Sequence, residues 1–203
     1  MEFQDAVRTR RMIRDYDPDR GVERSTLEML LNLANRAPSA GHTQGWRFLV
    51  LDDITSRSRF WSAASTGPAD AWRTRLQRAP VLVVFFSDRD AYLRRYAQPD
   101  KAGRADDAAA DRDPSRWPVP FWDVDTGMAA LLLLLAAHDH GLAASFFGVP
   151  GSRWPALAEV FRVPSGLRPV GVVSVGHPAA GTPAARHRGR RPLQDVLAYG
   201  SFA

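Results

Sequence analysis

Val81-Leu82-Val83-Val84-Phe85-Phe86 is an unbroken run of β-branched, aliphatic and aromatic side chains, and its reading decides the fold. A strand that is apolar at every position has no face to offer to water, so this run predicts a core strand covered on both sides. Working outward, Trp46-Arg47-Phe48-Leu49-Val50-Leu51, bounded by Asp52-Asp53, and Val170-Gly171-Val172-Val173-Ser174-Val175-Gly176 read as further strands. Residues 141 to 151 read as a strand ending in a glycine-rich turn.

The stretches between these strands have helical spacing. Residues 3 to 13 place Phe3, Ala6, Val7 and Arg10 on one face before Asp15-Tyr16-Asp17-Pro18 breaks the helix. Ser25 with Glu28 three residues on is a capping-box pattern, and Leu27, Leu30, Leu31 and Ala34 continue it until Pro38. Residues 56 to 78 predict a helical pair around Gly67-Pro68. Residues 127 to 140 predict a helix headed by Asp123 and Asp125, read as dipole partners and a cap. Its Leu131 to Leu135 block is apolar all round and is expected at the centre of the protein. Residues 152 to 162 predict a last helix, with Ser152 as cap and Pro155 in its first turn. Residues 88 to 116 carry the least information and have the composition of solvated surface. The three aromatics of Trp117-Pro118-Val119-Pro120-Phe121-Trp122 suit either the core or a cavity wall.

At 203 residues and 45% hydrophobic content, one domain over 1–203 is expected. The chain has no cysteine, which excludes disulfides, thiol chemistry and sulfur-ligated metals, so redox work would need a cofactor. The N-terminal residues are already charged, and the apolar run 128–137 is short for a bilayer, so a cytoplasmic protein without membrane association is expected. A net charge of +5 raises nucleic acid as a partner, but the arginines are scattered and acids interleave with them over 88–116, which makes that partner unlikely to fit. His138 and His140 are two apart and face different sides of a helix, which argues against a shared metal. No Ser-His-Asp order, HExxH, Walker loop or GxGxxG is present.

The positive signal is electrostatic. Arg8-Thr9-Arg10-Arg11-Met12-Ile13-Arg14 crowds four guanidinium groups into seven residues, a pattern suited to a phosphate or to the negative end of a helix dipole. Ala37-Pro38-Ser39-Ala40-Gly41-His42-Thr43-Gln44-Gly45-Trp46 follows about one helix later, and Arg186-His187-Arg188-Gly189-Arg190-Arg191-Pro192 lies near the C-terminus. In that order the three motifs resemble those of the nitroreductase family, best over residues 8–52 and 123–197.

The resemblance implies an α+β fold: a mixed, largely antiparallel sheet covered by helices on both faces, in an intertwined homodimer. Residues 186–203 would form an arm on the partner subunit, since Leu193, Val196, Leu197 and Phe202 need a surface to cover them. It implies FMN as cofactor, with NADH or NADPH as donor and an electron-poor acceptor of nitroaromatic or quinone type taking the hydride in a ping-pong cycle. Arg10, Arg11, Met12, Arg14, Arg188 and Arg190 match positions around the ribityl chain, pyrimidine edge and phosphate. Pro38, Ser39, Ala40, His42 and Gln44 match the loop that reaches the ring, and Phe146, Phe147 and Gly148 match the segment beside N5. Trp72, Trp117, Phe121 and Trp122 are the candidate substrate cavity, and no catalytic side chain or metal is implied. Three positions depart from the family pattern: His42 for Asn, Gly45 for Pro, and Met12 for a frequent Ser.

Overall fold

The computed structural model describes residues 1–102, 113–182 and 189–202. The central run forms β2 (Val81–Asp88), whose side chains alternate between two cores. Val81, Val83 and Phe85 enter one hydrophobic cluster and Leu82, Val84 and Phe86 the other, as the period of two along a strand requires. Each such fully buried side chain is worth about 1.5–3 kcal/mol of transfer free energy. On one flank β2 pairs with β1 (Trp46–Leu51), and on the other with β4 (Leu167–Gly176), beyond which lies β3 (Ala143–Phe147).

All three pairings are antiparallel, so among the described residues the sheet has no parallel neighbours and the expected mixed sheet is corrected. The reason lies in the connections. Leu51 pairs with Leu82, and Phe147 with Val172, so the β1–β2 and β3–β4 linkers each leave and re-enter the sheet at the same end, while β2 and β3, which run the same way, are kept apart by β4.

Helices cover both faces. Below one face lie α2 (Arg24–Ala34) and α7 (Phe121–Asp139), which bury Leu27, Leu30, Ala34, Ala129, Ala130 and Leu133. The other face carries α3 (Ile54–Ala64), α4 (Ala71–Leu76) and α8 (Trp154–Phe161), with Phe60, Trp61, Leu76 and Leu157 in its core. By length and composition α7 could cross a membrane, but half of that stretch is buried within the protein, the place of a core helix.

Several local expectations are corrected. Glu23, not Ser25, stands at the N-cap of α2 and makes no side-chain cap bond, so Ser25 is inside the helix. The last helix starts at Trp154 after a 3-10 turn, so Ser152 does not cap it, while Pro155 does occupy its first turn. Helix α7 begins at Phe121, earlier than predicted, because Trp122 and Thr126 already find buried positions. Its leucine block is not enclosed: Leu131 is 50% exposed, since a helix lying on a sheet turns one side to the outside. On α1 (Phe3–Thr9) only Ala6 is buried.

The region read as solvated surface contains α5 (Arg89–Tyr96), capped by the Asp88 carboxylate and burying Tyr92 and Leu93, then α6 (Pro99–Ala102). The rest of that reading, on 103–112, falls outside the described residues. In the tail Leu193, Val196, Leu197, Tyr199 and Phe202 are all exposed.

Candidate functional site

After α1 the chain runs extended along the sheet instead of continuing as a helix. The Ile13 amide donates to Ala144 O at 3.1 Å and the Asp17 amide to His177 O at 2.9 Å. Between them Tyr16 is fully buried, its hydroxyl donating to Ile13 O at 2.8 Å and lying 2.6 Å from Ser174 Oγ. Burial pushes that phenol up, against the smaller pull of Ser145 and Ser174. The segment bearing Arg10, Arg11, Met12 and Arg14 is thereby fixed to β3 and to the end of β4.

Arg10 caps the C-terminal end of α1, and its Nη1 is buried with no hydrogen-bond partner. Burial, then Arg190 and Arg11, hold its guanidinium below the usual arginine range, so the N-terminal and C-terminal arginines meet here with mutual repulsion. An unmade bond at a buried charged donor costs at least about 1–3 kcal/mol, a deficit that an anion would remove. Arg11 spends its Nη1 on Arg8 O and Arg10 O, and Arg14 donates to Met12 O at 3.3 Å. Arg188 falls outside the described residues. Beside the cradle His138 Nε2 is 2.7 Å from Thr9 Oγ1, and burial, then Arg10 and Arg11, lower its pKa.

Met12 has a role of its own. Its Sδ accepts from the Phe146 amide at 3.4 Å, which ties the arginine segment to β3. The two phenyl rings then part. Phe146 packs under Gly171, where a Cβ would come within 2.1 Å of its ring. Phe147 stacks on Trp61 at 5.6 Å in the opposite core. Gly148 is exposed, with open space where a side chain would stand, so the turn presents bare backbone to its surroundings.

The 37–45 loop carries three positive-φ residues, Gly41 (60°), His42 (55°) and Gln44 (52°). Two of them bear side chains, a conformation that must be held by surrounding bonds. Ser39 Oγ accepts from the Gln44 amide at 2.9 Å, His42 Nε2 is 2.8 Å from Gln44 Nε2, and Arg95 Nε donates to Gly41 O at 2.9 Å. The Ala40 amide donates to Asp125 Oδ2 at 2.8 Å, and the Tyr92 hydroxyl donates to the same oxygen at 2.7 Å. Pro38 lies exposed at the loop's start. Gly45 is explained by Tyr92, whose ring would be 2.4 Å from a Cβ at that position.

Asp125 is the residue that sequence reading missed. It is a buried loop anchor, not a helix cap, and burial and then its own carboxylate push the Tyr92 phenol well up. The available signal was a carboxylate inside an otherwise apolar helix, which has to be hydrogen-bonded. Asp123 instead accepts from Ser87 Oγ and pairs with Arg168.

The four cavity candidates separate into two groups. Trp72 lies edge-on to Phe147 at 5.9 Å, on the α3–α4 side. Trp117, Phe121 and Trp122 cluster with Tyr92 and Tyr96, Trp117 being 4.8 Å from Tyr96. Trp122 is buried, and Phe121 remains 38% exposed. Among the described residues no group of His, Cys, Asp or Glu could hold a metal ion.

An antiparallel sheet between two helical layers, with an unsatisfied guanidinium near Arg11 and Arg190, defines an α+β protein with a basic cluster where its first and last segments meet. The nitroreductase family model matches residues 7–177, and the chain belongs to that family of NAD(P)H oxidoreductases. A protein of Archaeoglobus fulgidus, provisionally named NADH dehydrogenase/NAD(P)H nitroreductase, is 29% identical over 85% of this chain and 83% of its own length. An iodotyrosine deiodinase of Haliscomenobacter hydrossis is 26% identical over 89% of this chain and 81% of its own. A solved structure from Exiguobacterium sibiricum, described as a nitroreductase in complex with FMN, superposes with a TM-score of 0.72 at 22% identity, covering 98% of this chain and 97% of that one.

Proposed function

We propose that this chain is a cytoplasmic, homodimeric, FMN-dependent enzyme that moves hydride from NADH or NADPH to a small electron-poor acceptor of nitroaromatic or quinone type. The observation that carries the reading is the partnerless Nη1 of Arg10 beside Arg11 and Arg190, a deficit of one anion that a flavin phosphate fits. A bound flavin would supply the two-electron redox chemistry between the nicotinamide and the acceptor.

The protein's part is positional. Arg10 and Arg190 would hold the phosphate, with Arg14 and Met12 fixing the segment between them. The 39–44 loop, held in its strained form by Asp125, would meet the ring, and the Gly148 turn would offer backbone to its edge. Trp117 and Phe121 present an aromatic surface on which a flat acceptor can stack. The exposed tail residues and the exposed side of α7, with Val124, Met128 and Leu131, provide apolar surface for a second copy to cover.

Mass analysis of heat-released flavin tests the reading: stoichiometric FMN is expected, and FAD, or no flavin after reconstitution, would sink it. Reductive dehalogenation of a halogenated phenol is the second reading, favoured by the deiodinase relative. Iodotyrosine and a nitroaromatic offered to the reduced protein separate the two by which is consumed.

A further inference from the structure

Helix α5 meets the 37–45 loop along one face, although its composition is that of solvated surface. Tyr92, Arg95 and Tyr96 fall at i, i+3 and i+4, the spacing that puts side chains on the same side of a helix. Each meets the loop or its anchor at a different point. The Tyr92 hydroxyl donates to Asp125 Oδ2 at 2.7 Å, the oxygen that also receives the Ala40 amide at 2.8 Å. Arg95 Nε donates to Gly41 O at 2.9 Å, its guanidinium kept in orientation by a fork onto Asp100 at 2.8 and 2.7 Å. The Tyr96 ring lies against Gly41, where a Cβ would come within 2.9 Å of it. At the loop's end the Asp88 amide donates to Gly45 O at 2.7 Å, while the Asp88 carboxylate caps α5 through the Ala91 amide at 2.9 Å.

The segment held in this way is strained. Gly41, His42 and Gln44 all sit at positive φ, so the shape of the loop depends on what surrounds it. Gly45, one of the three departures from the family pattern, is matched to the same helix. Its φ is not positive, so a side chain there is opposed by lack of room and not by backbone strain, and a Cβ, that of proline included, would meet the Tyr92 ring at 2.4 Å. Other rings stand behind the two tyrosines: Trp117 is 6.4 Å from Tyr92 and 4.8 Å from Tyr96, and Trp122 is 6.3 Å from Tyr92. We infer that Tyr92, Arg95 and Tyr96 are positioning residues for the proposed reaction: they hold His42 and Gln44 in the conformation in which the loop would meet the flavin ring, and Gly45 is the glycine that gives Tyr92 its room. This role rests on the FMN reading above, in which Arg10 and Arg190 carry the phosphate. Helix α5 then governs how the ring is held and not whether flavin binds.

The test compares full-length Arg95→Lys, Gly45→Ala, Tyr92→Leu and the Gly45→Ala/Tyr92→Leu double variant. Arg89→Gln, which breaks an exposed pair with Asp90 on the same helix, is the control. Without flavin, the readout is the backbone amide NMR signals of Gly41, His42 and Gln44. With FMN, it is the Kd, the visible circular dichroism of the bound flavin, and kcat and KM with a nitroaromatic. Arg95→Lys and Gly45→Ala should each move the loop amides, alter the flavin dichroism and lower kcat roughly tenfold or more, with the FMN Kd within about threefold of the wild type. Gly45→Ala should add nothing to Tyr92→Leu, since the ring it would strike is gone, and Arg89→Gln should match the wild type. Unmoved loop amides, or a Gly45→Ala effect undiminished in the Tyr92→Leu background, would overturn the clamp. Moved amides with an unaltered flavin dichroism and kcat would overturn the positioning role and leave α5 a structural support. A wild-type chain that takes up no FMN would sink the flavin reading and the positioning role with it, while the loop amides would still report separately whether α5 holds the loop.

Discussion

Arg95 and Arg10 are both partly buried arginines in or beside the motif segments of one protein, yet they are completed in opposite ways. Arg95 donates to Gly41 O and forks onto Asp100 at 2.8 and 2.7 Å, and that carboxylate raises its pKa. Arg10 meets burial, Arg190 and Arg11, all of which push its pKa down, and one of its nitrogens has no partner. The chain supplies its own anion where an arginine shapes a loop, and leaves Arg10 Nη1 without a partner, the deficit on which the proposed phosphate site rests. Solvent at the exposed Asp100 screens its pair with Arg95, whereas a phosphate at a desolvated guanidinium would be screened far less.

The comparison breaks most visibly if the C-terminal half of the cradle is removed. Deleting residues 186–203 should abolish both flavin retention and the dimer, read by absorbance and by size-exclusion chromatography with light scattering. A flavin-loaded monomer would show that Arg190 and the arm's apolar residues are dispensable. Next in size, Arg10→Ala and Arg190→Ala should each lower FMN affinity by roughly tenfold or more, since one charge-assisted bond contributes about 1.5–3 kcal/mol. Arg78→Ala, which breaks an ordinary ion pair with Asp15 at 3.0 Å, is the control. Equal losses in all three would reduce the cradle to a general charge effect.

A smaller effect sharpens the loop side of the comparison. Asp125→Asn keeps the shape but removes the charge from the acceptor shared by Ala40 and Tyr92, and should cost about 1–2 kcal/mol, a few degrees in Tm by calorimetry. An unchanged Tm would contradict its role as anchor. The smallest effect is in pH. His138 has its folded pKa lowered from 6.5, so the unfolded chain takes up that proton first as the solution is acidified. The stability held by neutral His138 is full above about pH 6.5 and is lost as pH falls through the depressed folded value. A phosphate seated on Arg10 and Arg11 should raise that value toward the ordinary one, visible as an upward move of the His138 ring-proton midpoint when FMN is added. An identical midpoint with and without FMN would separate His138 from the cradle.

The sheet was legible because its strands are written as apolar runs: β1, β2 and β4 lie where Trp46–Leu51, Val81–Phe86 and Val170–Gly176 predict. The helices α3 and α4 flank Gly67 as their spacing suggests. What composition hid was fixed by tertiary contact. In helix α5 Arg89, Asp90, Arg94 and Arg95 flank Tyr92 and Leu93, and the aromatic cluster and Asp125 give Tyr92 a place to be buried. Ser25 has the residue type of a cap but not the position, because the cap falls two residues earlier, at Glu23, and the helix starts at Arg24. The loop and the arginine segment were legible as motifs. Their supports, Asp125, Tyr16 and the Met12 sulfur, were not, since each bond spans from 85 to 158 positions.

The stitching of the Arg10–Tyr16 segment also sets an order in time. Its partners are Ala144, Ser174 and His177, and its fellow cation is Arg190. During synthesis the Arg10–Tyr16 segment must therefore wait for residues 144–177 to emerge before its strand mates exist. Contacts of such long sequence separation form late and slowly. Under the proposed reading, phosphate capture by Arg10 and Arg190 would wait for both segments to be in place, and a chain that stops before residue 144 has an arginine-rich segment with no strand to hold it.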